Sequence, residues 1–229
     1  MQRWISIGGA AVVGLALLVP APAAADAAVR LRLGQFTPDG ESRYWEENEV
    51  DFTGSADDFE GLFGGADFLW DVHPFMGVMI SVDHSSEDVD QEYRDFEEAG
   101  GFPIVHTTTL EITPLTVGLL FHLAPERSPI RPYVGVGGGF YVWRLEEDGD
   151  FIDFTEVPPE IFRDRFEDEG TPLGYYVLAG LEVPLSHYIS VIVEGRLDQA
   201  DDDLEGDFAG LGDLDLSGRR IGAGISWTF

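Results

Sequence analysis

The feature that most limits what this chain can become is a repeated two-residue alternation without any long apolar run. Beyond Ala25 no stretch approaches the roughly 18 apolar residues that a membrane-spanning helix requires. Eight segments nevertheless place apolar side chains at every second position, which is the period of a strand and not of a helix. The predicted strands are 28–36, 59–73, 75–83, 107–123, 131–145, 172–183, 187–197 and 216–229. At the end of the chain Ile221, Ala223, Ile225, Trp227 and Phe229 share one face, and Arg220, Gly222, Gly224, Ser226 and Thr228 share the other. Val29, Leu31 and Leu33 oppose Arg30, Arg32 and Gly34 in the same way, as Ile189, Val191, Val193 and Leu197 oppose Ser190, Glu194 and Arg196.

The connections alternate in length. Short ones lie at His73-Pro74, 124–130 and 184–187, whereas 37–58, 84–106, 146–171 and 198–215 each run to about twenty residues, long for a compact soluble domain. Short turns at one rim and long loops at the other fit an eight-stranded antiparallel transmembrane β-barrel, with the turns in the periplasm and the loops outside the cell.

Alternation does not say which face points inward, since a soluble lipocalin-like barrel is apolar inside. Charge placement decides. Acids number eight in 37–58, eight in 83–106, eleven in 146–171 and eight in 198–215, which is 35 of the 43 in the chain. The strands keep few charges, and on their polar faces four arginines (Arg30, Arg32, Arg196, Arg220) stand against four acids (Asp67, Asp71, Glu182, Glu194). A soluble exterior needs charge spread over its strands. A barrel interior needs its few charges paired, because an unpartnered buried charge costs several kcal/mol. The apolar faces are therefore expected to meet lipid and the arginines to pair with carboxylates in the lumen. Trp70, Phe75, Phe121, Tyr133, Tyr188, Trp227 and Phe229 fall near the short-turn ends, and Tyr141, Trp143 and Tyr175 near the long-loop ends, as two interfacial girdles would.

The first 25 residues read separately. Arg3, the apolar stretch Ile5 to Val19 and the small residues Ala23-Ala24-Ala25 before Asp26 have the plan of a cleaved secretory signal; Ala27 is the alternative cleavage point. This leaves 26–229 as one barrel domain. Net charge is −30, every basic residue is arginine, and there is no cysteine. Nucleic-acid binding, a disulfide scaffold and thiol or Cys-based zinc chemistry are excluded on those grounds.

The terminal Gly224-x-x-Trp227-x-Phe229, with aliphatic residues at alternate positions behind it, resembles the C-terminal signal read by the barrel-assembly machinery. Gly222 stands where that signal usually has a polar residue. Together with the strand pattern, this makes the chain similar to the small outer-membrane barrels of Gram-negative bacteria, the group around the OmpA transmembrane domain and OmpX. The resemblance implies an integral outer-membrane protein with lipid and the assembly machinery as its partners.

Motifs for chemistry are sparse. Gly135-Val136-Gly137-Gly138-Gly139 lacks the Lys-Ser/Thr and the following helix of a phosphate loop; its alternate glycines are expected to make room in a narrow lumen. Asp201-x-Asp203-x-Glu205-Gly206 opens like a calcium loop, but position twelve is Gly212, so an EF-hand is rejected. Loose divalent-cation binding by the acidic loops remains as the alternative to a solvated anionic surface. His84-x-Ser86, with His106 across the same loop, faintly resembles the lipid A deacylases but carries Glu87 and Asp88 where Asn and Gly would follow. His73, His122 and His187 are expected at the interface. The expectation is a non-enzymatic barrel without cofactor, whose structural or surface-interaction role lies in its acidic loops. A small pore and a membrane-embedded lipid hydrolase are the alternatives.

Overall fold

The computed structural model describes residues 27–98, 100–155 and 158–229; the signal segment 1–25 and its cleavage lie outside these. Eleven strands appear in chain order: β1 (Ala27–Pro38), β2 (Gly61–His73), β3 (Met76–Glu97), β4 (Pro103–His122), β5 (Arg131–Asp153), β6 (Glu160–Gly170), β7 (Leu173–Pro184), β8 (Ile189–Gln199), β9 (Asp201–Asp203), β10 (Asp213–Asp215) and β11 (Gly218–Thr228). A helix, α1 (Arg43–Asp51), and short 3-10 turns at Ala56–Phe59 and Gly206–Phe208 lie in the connections.

The barrel is an antiparallel meander that closes on itself. Neighbours run β1-β2-β3-β4-β5-β7-β8-β11, and β11 returns to pair with β1 from Ala28↔Thr228 to Pro38↔Gly218. Closure leaves no sheet edge, which a membrane interior would not tolerate. The outer half of β5 pairs with β6 and the inner half with β7 in one unbroken register, Trp143↔Gly170 continuing into Phe140↔Leu173. Thus β6 and β7 are one long strand interrupted at Pro172, which has no N–H to give the ladder.

The outward face carries an apolar belt. Leu31, Phe68, Ile80, Val117, Val136, Val177, Val193 and Ile225, one from each barrel strand, are all exposed. So continuous an apolar surface exceeds what a water-soluble monomer shows and needs a lipid surround. The belt has a sharp edge towards the long connections: Leu115 gives way to Thr113 and Glu111 on β4, and Val142 to Arg144, Glu146 and Asp148 on β5.

Two expected loops turn out to be strand. Only 98–102 separates β3 from β4, and β5 with β6 forms a second projecting hairpin, so that 84–106 and 146–171 are largely paired. Above the belt the outward positions turn polar and the apolar residues, among them Leu110, Ile112, Trp143 and Leu145, lie on the inward face, so the outward apolar rhythm stops although the ladder continues. There, cross-strand hydrogen bonds hold it, Thr107 Oγ1 donating to Asp90 (2.7 Å) and Thr109 Oγ1 to Asp88 (2.7 Å). The other two long connections fold inward. α1 buries Tyr44, Trp45 and Asn48, and Trp45 packs on Tyr44 (5.0 Å between ring centroids) and Phe59 (5.2 Å). With Phe36, Leu145, Leu204 and Leu214 they make an apolar plug across the end that carries the long connections.

The expected girdles need correction. Phe75, Tyr188, Trp227 and Phe229 are exposed at the short-turn end and Tyr175 at the other, but Tyr133, Tyr141 and Trp143 point inward and are buried. They share the parity of Gly135, Gly137 and Gly139, which places them in the lumen. A Cβ on Gly137 would lie 2.7 Å from Tyr176 Cε1, so the glycines admit an inward aromatic, as the narrow lumen requires.

An arginine on the lipid face at mid-height should cost about 2–4 kcal/mol. Val193→Arg is outward-facing in the middle of β8 and should lower the stability of the barrel in lipid by that amount, read from urea unfolding followed by tryptophan fluorescence. An unchanged urea midpoint would mean that this face does not meet acyl chains.

Candidate functional site

The interior charges form one connected structure. Arg32 on β1 donates from Nη2 to Asp67 Oδ1 (2.6 Å) and Asp83 Oδ1 (2.9 Å), and from Nη1 to Glu194 Oε1 (3.2 Å). Arg196 on β8 reaches the second Asp83 oxygen from Nη1 (3.1 Å) and Asp198 Oδ1 from Nε (2.8 Å). Arg220 on β11 pairs with Asp198 Oδ2. The carboxylates are held further by Tyr133 OH on Glu194 (3.0 Å) and Tyr141 OH on Asp198 (2.6 Å). Stacking adds to this: the Arg196 guanidinium lies 3.9 Å from the Tyr176 ring centre and that of Arg220 4.3 Å from Phe36.

Nearer the short turns Arg30 and Arg131 share Glu182, at 3.9 and 3.4 Å. Five arginines thus face five carboxylates across the lumen, and every one of the ten residues is buried or half-buried.

Arg30, Arg32, Asp67, Glu182, Glu194, Arg196 and Arg220 are all buried on the inward side of their strands. Asp71 does not join; it lies at the mouth beside His122 Nε2 (3.4 Å), and His122 is buried in the lumen, not interfacial. Its place is taken by Asp83 and Asp198, which sit at or beyond the predicted ends of their strands and so count as loop acids in the sequence. The signal available is parity, since Asp83 continues the inward positions of β3 and Asp198 those of β8.

The other sequence candidates separate. Asp201 and Asp203 lie in β9 and face Asp215 and Asp213 of β10. Asp215 is engaged by the Glu41 and Ser217 amides, whereas Asp201, Asp203 and Glu205 are exposed. Among the described residues no group of three or more His, Cys, Asp or Glu side chains is arranged to hold a metal ion. His84 faces outward and its Nδ1 shares a hydrogen bond with Thr113 Oγ1 (2.9 Å); His106 faces the opposite way, buried among Phe52, Tyr93 and Phe151. The His-x-Ser arrangement therefore does not gather His84 with His106. Gly224 lies on the inward side of β11, while Trp227 and Phe229 are outward and exposed at the short-turn rim.

Above the belt, burial acts on two groups in opposite directions. Glu147 on β5, which accepts from Tyr44 OH (2.9 Å), is pushed up to about 7, and His106 on β4 is pushed down to about 4.

Two solved structures share this architecture. Neisserial surface protein A aligns over 90% of this chain and 99% of its own at 10% identity, with a TM-score of 0.51. A major outer membrane protein from Thermus thermophilus aligns over 90% and 100% at 14% identity, with a TM-score of 0.50. At such identity the likeness concerns the fold. No family model and no curated protein matches the chain.

Removing one partner of a buried ion pair costs about 3–5 kcal/mol, because the other charge stays behind. Arg196→Ala, which leaves Asp83 with Arg32 alone and Asp198 with Arg220 alone, should therefore lower the temperature at which the folded band disappears in a heat-modifiability gel. No change would contradict the network's structural role. The plug, with α1 as its cap, should also respond to pH. Raised above its ordinary 4.5, Glu147 favours the closed cap at low pH and loses that contribution as pH rises through about 7. His106 favours closure above 6.5 and loses it as pH falls to about 4. The two act in opposite directions in the intact chain. Relative to the intrinsic exchange rate, Glu147→Gln should make amide protection in α1 fall on acidification, and His106→Gln should make it fall on alkalinisation; parallel changes in protection would refute the assignment.

Proposed function

We propose that the chain is an exported, integral outer-membrane barrel of a Gram-negative cell, without enzymatic activity, that acts structurally or through its acidic capped end. Cleavage after Ala25 delivers it, and Gly224, Trp227 and Phe229 present it to the barrel-assembly machinery. The capped end faces outward and the short turns face the periplasm. The single observation carrying this reading is the sorting of charge into three layers: an apolar outward belt, a lumen where arginines and carboxylates balance, and acids concentrated beyond the belt. A rigid barrel displaying its variable chemistry at one end is a common arrangement for surface interaction.

The acidic end would attract cationic partners and divalent ions, and bridge through those ions to lipopolysaccharide. Asp203 directly opposite Asp213 supports this, since like charges facing across strands destabilise a pair unless a cation screens them. The ion-paired lumen disfavours a pore, because eight strands leave an interior that side chains just fill.

Cell fractionation with an epitope inserted at Gly100-Gly101, the tip of the β3–β4 hairpin, tests the location. The reading expects a heat-modifiable band in the outer membrane and antibody binding on intact cells. A folded protein in the soluble periplasmic fraction, or an epitope reached only after lysis, would overturn it. Calorimetric titration with calcium should give millimolar or tighter binding that weakens with salt; no heat and no thermal shift would remove the cation component.

A further inference from the structure

Within the acidic end lies a cavity of about 280 Å³, between α1, the β5–β6 hairpin and the 3-10 turn at Gly206–Phe208. Its walls are aromatic: Phe52, Phe151, Phe166 and Phe208 line it, with Leu211 beside them. Its polar groups are almost all acceptors. Glu147, 7% exposed, presents its carboxylate, and the Tyr44 hydroxyl donates to only one of the two oxygens. Asn48, 4% exposed, has its Oδ1 buried with no hydrogen-bond partner. Asp51 and Asp207 add negative charge at the rim, where Glu47 is paired with Arg43.

Among the described residues no arginine, histidine or other basic residue lines the cavity. Arg43, the one basic residue of α1, is turned to Glu47 (2.7 Å) on the exposed side of the helix. Arg165 on β6 is engaged by Glu146 and Arg163 by Asp148, both on the outward side of the hairpin. His106, on β4, is stacked against Phe151 (5.1 Å) with both ring nitrogens unpaired. In the lumen every buried carboxylate is answered by an arginine; here the answering cation is missing.

We propose that this cavity binds an organic cation carrying N–H donors on a short apolar stem, a protonated primary amine or a guanidinium. The proposal deepens the surface-interaction reading, on which it rests, by naming a ligand class for it. Aromatic faces attract cations and the stem of such a ligand replaces water against them. The Glu147 carboxylate accepts its N–H bonds, through the oxygen that the Tyr44 hydroxyl leaves free. The requirement for donors excludes quaternary ammonium ions as the preferred ligand, and the requirement for charge excludes neutral aromatics.

The test is isothermal calorimetry on the full processed barrel in detergent micelles at pH 8, where Glu147 is ionised. The probes are phenethylammonium, phenyltrimethylammonium and 2-phenylethanol. Saturable binding of phenethylammonium, with the other two each about tenfold weaker or more, is expected. Glu147→Gln should weaken phenethylammonium about tenfold while leaving 2-phenylethanol unchanged. Nα-acetyl-lysine amide distinguishes the source: tighter binding than phenethylammonium assigns the site to a polypeptide side chain, weaker binding to a free amine. Equal affinity for the alcohol, equal affinity for the quaternary ion or no saturable binding overturns the proposal. The ligand series on the unmodified chain decides even where Glu147→Gln does not fold. Because binding is read on purified protein, its failure leaves the outer-membrane reading standing, and mislocalisation in cells leaves the binding result standing.

Discussion

Five guanidinium groups inside a barrel only eight strands wide are the constraint on which this structure turns. Each would be prohibitively costly if left unpaired in a space walled by backbone and lipid. The carboxylates that answer them come from distant parts of the chain: Arg32 of the first strand is held by Asp67, Asp83 and Glu194, on three different strands. The network therefore ties β1, β2 and β3 to β8 and β11 through the centre, while the hydrogen-bond ladder ties them around the wall. A shift of any strand by one residue would turn its charges into lipid and its leucines into the lumen. Ion pairing in the lumen thus sets the register for which the outer face is apolar.

The remainder of the interior is graded by the same logic. Towards the short turns the charges thin out to Arg30, Arg131 and Glu182, around a wider polar mouth. Towards the long connections they give way to an apolar plug built from the chain's own insertions, with α1 laid across the opening. The plug explains why acids can crowd that end without unravelling it. Tyr44, Trp45 and Phe59 anchor the segments from below, and the acids on their upper sides need only solvent. The cap cavity is the exception, where carboxylate and aromatic surfaces meet without an arginine.

Much of this is legible in the sequence, for reasons that particular residues make plain. Arg30, Arg32, Arg196 and Arg220 can be placed inward because each interrupts an apolar alternation of fixed parity. Asp83 and Asp198 escape that reasoning because the apolar partners that define parity fade at the belt's edge, although the strands continue. The projecting hairpins escape it for the same reason: above the belt the outward positions are polar, and the apolar side of each strand faces inward. Nothing in Arg43–Asp51 announces a helix that plugs a barrel. Its buried residues, Tyr44, Trp45 and Asn48, span little more than one turn, and it is docking on the barrel that gives them a face. The position of Tyr133, Tyr141 and Trp143 along their strand suggests an interface, whereas their parity with the glycines already places them inside.

The arrangement of faces can be tested most directly by fluorescence quenching in bilayers with brominated acyl chains, using chains that retain one tryptophan each. Trp227, outward and exposed, should be strongly quenched, and Trp45, sealed in the plug, should be nearly unaffected. Strong quenching at Trp45 with none at Trp227 would mean that the chain is built the other way round.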